Sequence, residues 1–443
     1  MTLEITVRRV LLCLSGIVLA TAVLGAAVTA GVTATMRDGY PGESAETGDW
    51  PAPRGVPAGS TVVAVALGTS GTVVSDALLP YEALARVPGF FVYTVAEHRR
   101  PVPLSGGLRA VAEHTFATAP EPDVVVVPAI VEREPALRDW LGARDAYILG
   151  VCAGAEVLAD AGLLAGRRAT SFWQRLGALR DRYPETAWVA GERFVEDGRI
   201  ITTAGVTSGL AGSLRLIELL AGPAEAVRVG REVSYRDWTP GAPTGIAPQS
   251  VAVADLPYAL NAAFPWLRPV VGIGLTDGAG EIDIAAAFEA YAGTSFAARA
   301  VPVAAQPTVT TRHGLLLTAG PARVDRLIVP GADHPGPALS GWAADRGLDV
   351  SLPHAGRRPG EFALDPLLLD LATHSDRATA HTTAKYIEYP AGHLHLTGPA
   401  WPWRPTLLGL SALTLAAGAG LLPAVIARRN RKRRSCSDSD RRP

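Results

Sequence analysis

The sequence predicts an α/β fold: a parallel sheet sandwiched by helices, duplicated within one chain and flanked by two transmembrane helices. Three observations carry this. Apolar Val/Ile/Leu runs alternate with helical segments from 61 to 238, the pattern of a sheet buried on both faces. The same short words return in the same order from 269 to 390. Two uncharged stretches, Val10–Met36 and Pro405–Ala427, lie outside this body, and each exceeds the roughly 20 residues that cross a bilayer core as a helix.

Taken in order, residues 1–9 form a short tail and 10–36 the first membrane segment. Val28-Thr29-Ala30 would suit cleavage of a signal peptide, but the apolar run is longer than a signal core and favours an uncleaved anchor. Residues 37–60, rich in Gly, Pro, Ala and Ser, read as a stalk. Thr61–Leu67 is an apolar strand, and Ser75–Val87 is a helix with Ser75 at its N-cap. Phe90–Val95 and Asp123–Pro128 are the next strands. Ala146–Gly150 is another, running into Gly150-Val151-Cys152-Ala153-Gly154 and a helix through Ala161. Asp197-Gly198 between two β-prone runs marks a hairpin, and Thr207–Ala221 is an apolar helix. Residues 239–268, with the run WTPGAPTGIAP at their head, read as a linker.

Beyond the linker the opening recurs. Leu67-Gly68-Thr69, Asp76 and Glu82-Ala83 are matched by Gly274-Leu275-Thr276, Asp283 and Glu289-Ala290, each 207 positions on. Asp123–Pro128 is echoed by Arg326–Pro330, and Arg231–Tyr235 by Lys385–Tyr389. Three pieces in one order indicate a tandem duplication, with 61–238 the first copy and 269–390 a degenerate second one. The second is shorter by about 48 residues, where the cysteine turn should be. It is expected to have no chemistry of its own and to pack on the first as a pseudo-dimer within the chain.

The formal net charge is −1, but residues 1–36 carry +1 and residues 405–443 carry +6, leaving −8 on the body. An acidic body lacks the footprint for nucleic acid. Arg8 and Arg9 before the first membrane segment, and the basic tail 428–443 after the second, place both ends in the cytoplasm and the body outside. That tail could also meet anionic lipid headgroups. Cys13 lies in the first membrane segment and Cys436 in the tail, so Cys152 is alone in the body and forms no internal disulfide there.

Gly-x-Cys-x-Gly between a buried strand and a helix is a nucleophile elbow. The glycines permit the sharp turn, and the helix amides and dipole would lower the thiol pKa. A buried structural cysteine is the competing reading. The stretches DVVVVPA (123–129), GVCAGAEVLADAGLLAGRRATSFW (150–173) and ERFVEDGRIITTAGVTSGLAGSLRLIELLAG (192–222) resemble the ThiJ/PfpI family of the class I glutamine-amidotransferase-like superfamily. The nearest subgroup includes isonitrile hydratases and the sensor domains of some AraC-type regulators. The resemblance implies a flavodoxin-like sheet with the thiol at its topological switch point. It also implies an acidic partner on the first helix, at Asp76, with Gly150, Ala153 and Gly154 shaping the pocket and oxyanion site.

The chain departs from that family at three positions: Phe172 where relatives carry His, Ala153 after the nucleophile, and Ala211 where Asp is common. A Cys–acid pair is supported and a full triad is not. His393 with His395, and His374 with Asp376, read as structural, so neither metal nor cofactor is expected. Two functions remain. One is a membrane-anchored sensor or scaffold using a Cys152 pocket for a small-molecule ligand or for oxidation. The other is a cysteine-dependent hydrolase or hydratase acting on a small electrophile.

Overall fold

The computed structural model describes residues 2–42, 44, 48–236 and 238–439, with side chains from 10 to 429. Asp237 at the linker, the side chains of Arg8, Arg9, Arg431–Arg434 and Cys436, and residues 440–443 lie outside this description. The chain divides into two units. One comprises 1–36, 259–267 and 402–443, and the other comprises 37–258 and 268–401.

A helix opens the chain, α1 (Thr2–Gly39). In the larger unit β1 (Thr61–Ala66), α2 (Val74–Ala85) and β2 (Phe90–Ala96) precede three short strands, β3 (Pro101–Pro103), β4 (Arg109–Val111) and β5 (His114–Thr115). Then come β6 (Val124–Val127), α3 (Pro135–Gly142), β7 (Tyr147–Gly150), α4 (Gly154–Asp160), β8 (Arg168–Ala169), α5 (Leu176–Arg182) and β9 (Ala187–Trp188). The hairpin β10 (Phe194–Asp197) and β11 (Ile200–Thr203) turns at Asp197-Gly198. It leads into α6 (Ser208–Ala221) and α7 (Pro223–Glu232).

The main sheet runs β10-β11-β7-β6-β1-β2-β5, parallel except for β10. Its central strands β1, β6 and β7 are almost wholly apolar because both faces are covered. Val63, Val65, Val124, Val126 and Leu149 join one buried cluster with α2 and α6. Val62, Ala64, Ala66, Val125, Val127 and Ile148 join another with Leu137, Trp140, Leu158 and Leu179 of α3, α4 and α5. Ser75 is not the N-cap expected of it. α2 starts at Val74, whose N–H is met by Ser105 Oγ at 2.9 Å, and Ser75 turns inward.

Where a linker was expected, α8 (Leu256–Ala263) forms. After it come β12 (Val270–Gly274), α9 (Glu281–Phe288) with a π-helical turn to Gly293, β13 (Arg299–Val303), β14 (Thr308–Thr310) and β15 (Leu316–Thr318). The chain continues through β16 (Arg326–Ile328), α10 (Gly336–Ala344), β17 (Val350–Ser351), α11 (Leu364–His374) and α12 (Arg377–Tyr386) to α13 (Trp403–Ser439). β12 pairs in parallel with β13 and β16, as β1 does with β2 and β6. The Leu67 N–H meets Val95 O and the Leu275 N–H meets Val303 O, both at 2.8 Å, so the strands correspond at 208 residues. The Ser105 N–H bonds to Thr72 O and the Arg312 N–H to Ala279 O, which restores 207. The loop between is one residue shorter in the second half.

The two halves of this unit meet reciprocally. β14-β15-β4-β3 form one sheet, with β4 and β15 antiparallel and Ala110 opposite Leu317. α2 packs on α9. There Ser75 Oγ donates to Glu289 Oε2 at 2.8 Å, and the Ile282 N–H donates to Glu82 Oε2 at 2.7 Å. Positions 75 and 282, and 82 and 289, are each 207 apart, so the contact is its own mirror about a local two-fold. The ends of α7 and α12 also match. Ser234 and Glu388 are left-handed (φ 57° and 53°), and the N–H groups of Tyr235 and Tyr389 close back onto Gly230 and Ala384.

In the smaller unit α1 and α13 touch at Gly16 and Gly420, and Thr35 Oγ1 donates to Ala262 O at 2.9 Å. Both helices are long and apolar enough to cross a membrane, over Val10–Gly39 and Trp403–Arg429, and expose rows of Leu, Ile and Val.

Candidate functional site

Cys152 sits where β7 ends, at the carboxyl edge of the sheet beside β6. The Val151 N–H still bonds to Val127 O at 2.9 Å, and then the chain turns through Cys152 at φ 57°. A left-handed non-glycine residue costs about 1–3 kcal/mol, and such strain concentrates at functional sites. Gly154 cannot be replaced cheaply, since a Cβ there would lie 2.0 Å from Val127 O. Its N–H is spent on Val151 O at 2.7 Å, so it offers the sulfur nothing. Gly150 is likewise a ladder residue of β7, paired with Val127 and Thr202. Of the residues expected to form the oxyanion site, only Ala153 turns its N–H to the thiol. A second amide comes from Val206, itself left-handed at φ 24°.

Asp76, in the first turn of α2, faces the thiol and is fully buried. Its Oδ2 accepts the Ala129 N–H at 3.3 Å, and its buried Oδ1 has no well-formed hydrogen bond. Two residues that sequence reasoning missed complete the chamber. Glu289 approaches from α9, fixed by Ser75 and Thr294. Tyr40 arrives from the stalk and buries its hydroxyl among Ser105, Glu289, Asp76 and Cys152.

The electrostatics reverse the sequence expectation of an activated thiol. Cys152 is 7% exposed, and burial pushes its pKa well above the usual value, with the Asp76 carboxyl adding to the effect. The Ala153 and Val206 N–H groups pull the other way and are outweighed. Among the described residues, no cation is one of the main groups acting on the sulfur. α4, only seven residues long, supplies too little compensation. Burial, then Glu289, pushes the Asp76 carboxyl well above the usual carboxylate range.

The loop 205–208, which carries the Val206 amide, is strapped to the end of α12. Glu388 Oε2 accepts from the Gly205 N–H at 2.7 Å and from Ser208 Oγ at 3.1 Å. Thr207 Oγ1 donates to Ile387 O and Glu388 O at 3.1 and 2.9 Å. Gly205 has to be glycine for this approach, since a Cβ would come 2.9 Å from Phe172 Cδ2 and 3.3 Å from Glu388 Cδ. Burial raises the Glu388 carboxyl to about 7.

The positions where relatives carry His or Asp are occupied by packing. Phe172 lies against Gly205, and Ala211 is fully buried in α6. Among the described residues no imidazole partners Cys152 or Asp76, and His114 is spent edge-on to Tyr93 at 5.0 Å. His393 does find an acid, Asp365, at 3.0 Å. Asp283, the counterpart of Asp76, is held by Arg357.

Glu82, Glu281 and His313 bring ligand atoms within 4.8 Å of one another. Both carboxylates are already engaged by protein donors. Glu281 accepts from Thr311 Oγ1 and the His313 N–H and contacts His313 Nδ1, while Glu82 accepts from Arg86 and the Ile282 N–H. The cluster ties the two halves together as an ion-pair network.

The DJ-1/PfpI family model matches residues 62–219. The chain is 34% identical over 166 residues to an isonitrile hydratase of Pseudomonas putida, covering 35% of this chain and 71% of that one. It is 36% identical over 139 residues to the HTH-type transcriptional regulator CdhR of Pseudomonas aeruginosa, covering 30% of this chain and 41% of the regulator. Among solved structures, a ThiJ/PfpI family protein from Pseudomonas syringae overlays with a TM-score of 0.38 at 29% identity, over 42% of this chain and 80% of that one. With a family model over the elbow-bearing sheet and a relative matched over most of its length, the chain belongs to the DJ-1/PfpI family.

Proposed function

We propose that this protein is a membrane-anchored, extracytoplasmic sensor that uses the Cys152 pocket for a small ligand or for oxidation. One observation carries the reading. The thiol is buried beside Asp76, with no imidazole partner among the described residues and the Tyr40 hydroxyl closing the chamber, so burial pushes both the thiol and the carboxyl pKa up. A resting site of this kind suits detection better than turnover. The anchor is supported by the two long apolar helices, and the outside location by the basic residues at both ends. A tandem origin for 61–238 and 269–390 is supported by the equal strand pairing and by the reciprocal contacts of α2 and α9. The net −8 of the body argues against direct contact with DNA.

The second reading, a cysteine-dependent hydrolase or hydratase, is favoured by the isonitrile hydratase relative and by retention of the Cys152–Asp76 pair. Alkylation of Cys152 across pH separates the two. The sensor reading expects a midpoint above roughly 8.5, the unperturbed thiol value, that falls in Asp76→Ala. A thiolate already formed at neutral pH would favour the enzyme and overturn the sensor.

A further inference from the structure

We propose that the ligand site is the cavity behind the elbow, and that it takes a small primary amine whose ammonium group is held by Glu388. The proposal rests on the sensor reading above and gives it a ligand class. The cavity, about 160 Å³, is walled by Thr170, Ser171, Trp173, Ile246, Pro248 and Glu388, among others. A dry cavity of comparable size takes a benzene-sized guest, so the ligand has about six to eight non-hydrogen atoms. The wall also touches the thiol segment, because Ser171 Oγ donates to Cys152 O at 2.8 Å.

The recognising group is Glu388. It is 9% exposed, and Oε2 carries both of its hydrogen bonds, from Gly205 and Ser208. Oε1 accepts none among the described residues, although the side chain forms part of the cavity wall. No protein donor competes for that oxygen, so a ligand ammonium in the cavity would gain a charge-assisted hydrogen bond there. One free oxygen suits the point charge of an ammonium, whereas a guanidinium fork needs two. Leu176, Ile246 and Pro248 suit a short apolar body behind the amine; Trp173, also in the wall, has a buried indole N–H with no acceptor among the described residues.

The charges around Glu388 are mixed. Arg193 opposes its protonation, Cys152 and Asp76 lie within electrostatic reach, and Arg180 and Glu192 complete the cavity rim. Glu192 is engaged by Thr244, and Lys385, above the Trp173 ring, is held by Asp255. With Glu388 raised to about 7, an arriving ammonium drives the carboxyl to its ionised form and expels its proton.

Calorimetry on the full-length chain in detergent tests this, with benzylamine as the probe and benzyl alcohol and benzoate as isosteric controls. Titrations at pH 7 in two buffers of different ionisation heat report the proton. The expected result is benzylamine binding at least tenfold tighter than either control, with about half a proton released per amine bound. Glu388→Gln loses at least tenfold in affinity and releases no proton. Equal binding of benzoate, no binding of any amine from methylamine to benzylamine, or unchanged binding by the Gln variant would overturn the proposal. If the variant does not fold, proton release by the wild type alone decides. A slow thiol with no amine binding sinks this site and leaves the sensor reading. Amine binding beside a neutral-pH thiolate does the reverse.

Discussion

Glu388 makes stability depend on pH in a direction opposite to that of most carboxylates. Its pKa in the fold is about 7 against an ordinary value of 4.5, because burial disfavours the charge. Between those two values the native state holds more protons than the unfolded chain, so this group's contribution falls as pH rises from 4.5 to 7. The loss amounts to roughly 3 kcal/mol, at 1.36 kcal/mol for each pH unit of difference. That is a large part of a typical folding free energy of about 5–15 kcal/mol. Glu388→Gln keeps an acceptor for the Gly205 N–H and removes the titration. Urea unfolding of the full-length chain in detergent, followed by tryptophan fluorescence from pH 4.5 to 8, would measure both proteins. The difference between them cancels the other carboxylates. It should grow by about 3 kcal/mol in favour of the Gln variant across the window, and run level below it. A constant offset at every pH would refute a buried, neutral-pH carboxyl at 388.

Three further outcomes are expected. Glu82→Ala removes one of the two reciprocal bonds between α2 and α9, leaves the Ile282 N–H without its partner and leaves Arg86 with Glu232 alone. It should cost about 3 kcal/mol by urea midpoint, and a loss under about 0.5 kcal/mol would show the contact to be dispensable. Tyr40→Ala should raise the iodoacetamide rate at Cys152 at least tenfold in a chain lacking Cys13 and Cys436; an unchanged rate would remove Tyr40 as the closure. Protease added to intact cells or spheroplasts should digest residues 37–404 and spare the tail, whereas protection of the body until lysis would place it inside.

The parallel sheet was legible because each strand is covered on both faces, which leaves uninterrupted runs such as Val124–Val127. The elbow was legible because the turn demands small residues around Cys152. What sequence reasoning missed lies in contacts between distant segments. Tyr40 sits in a Gly/Pro-rich stretch, and one buried hydroxyl leaves no periodic trace. Glu388 stands in a left-handed position just past a helix end, where an exposed side chain would be ordinary. The thiol pKa was misjudged for the same reason: the local helix is visible in the chain, while burial and the acids that gather around Asp76 are not. Ser75 was read as a local cap because its long-range partner, Glu289, could not be seen.

The matched ends of α7 and α12 have a consequence for how this molecule can change over generations. In an assembly of two identical chains, any substitution near the axis is written twice, and an acid useful on one side is imposed on the other. Here the two sides belong to a single polypeptide and are encoded separately. Ser234 occupies one of the matched left-handed positions and Glu388 the other. Ser75 and Ile282 likewise differ across the helix pair. One half can therefore hold the thiol while the other, which has none, lends an acidic side chain to its neighbour. Such division of labour needs no encounter between molecules, so it persists at any dilution.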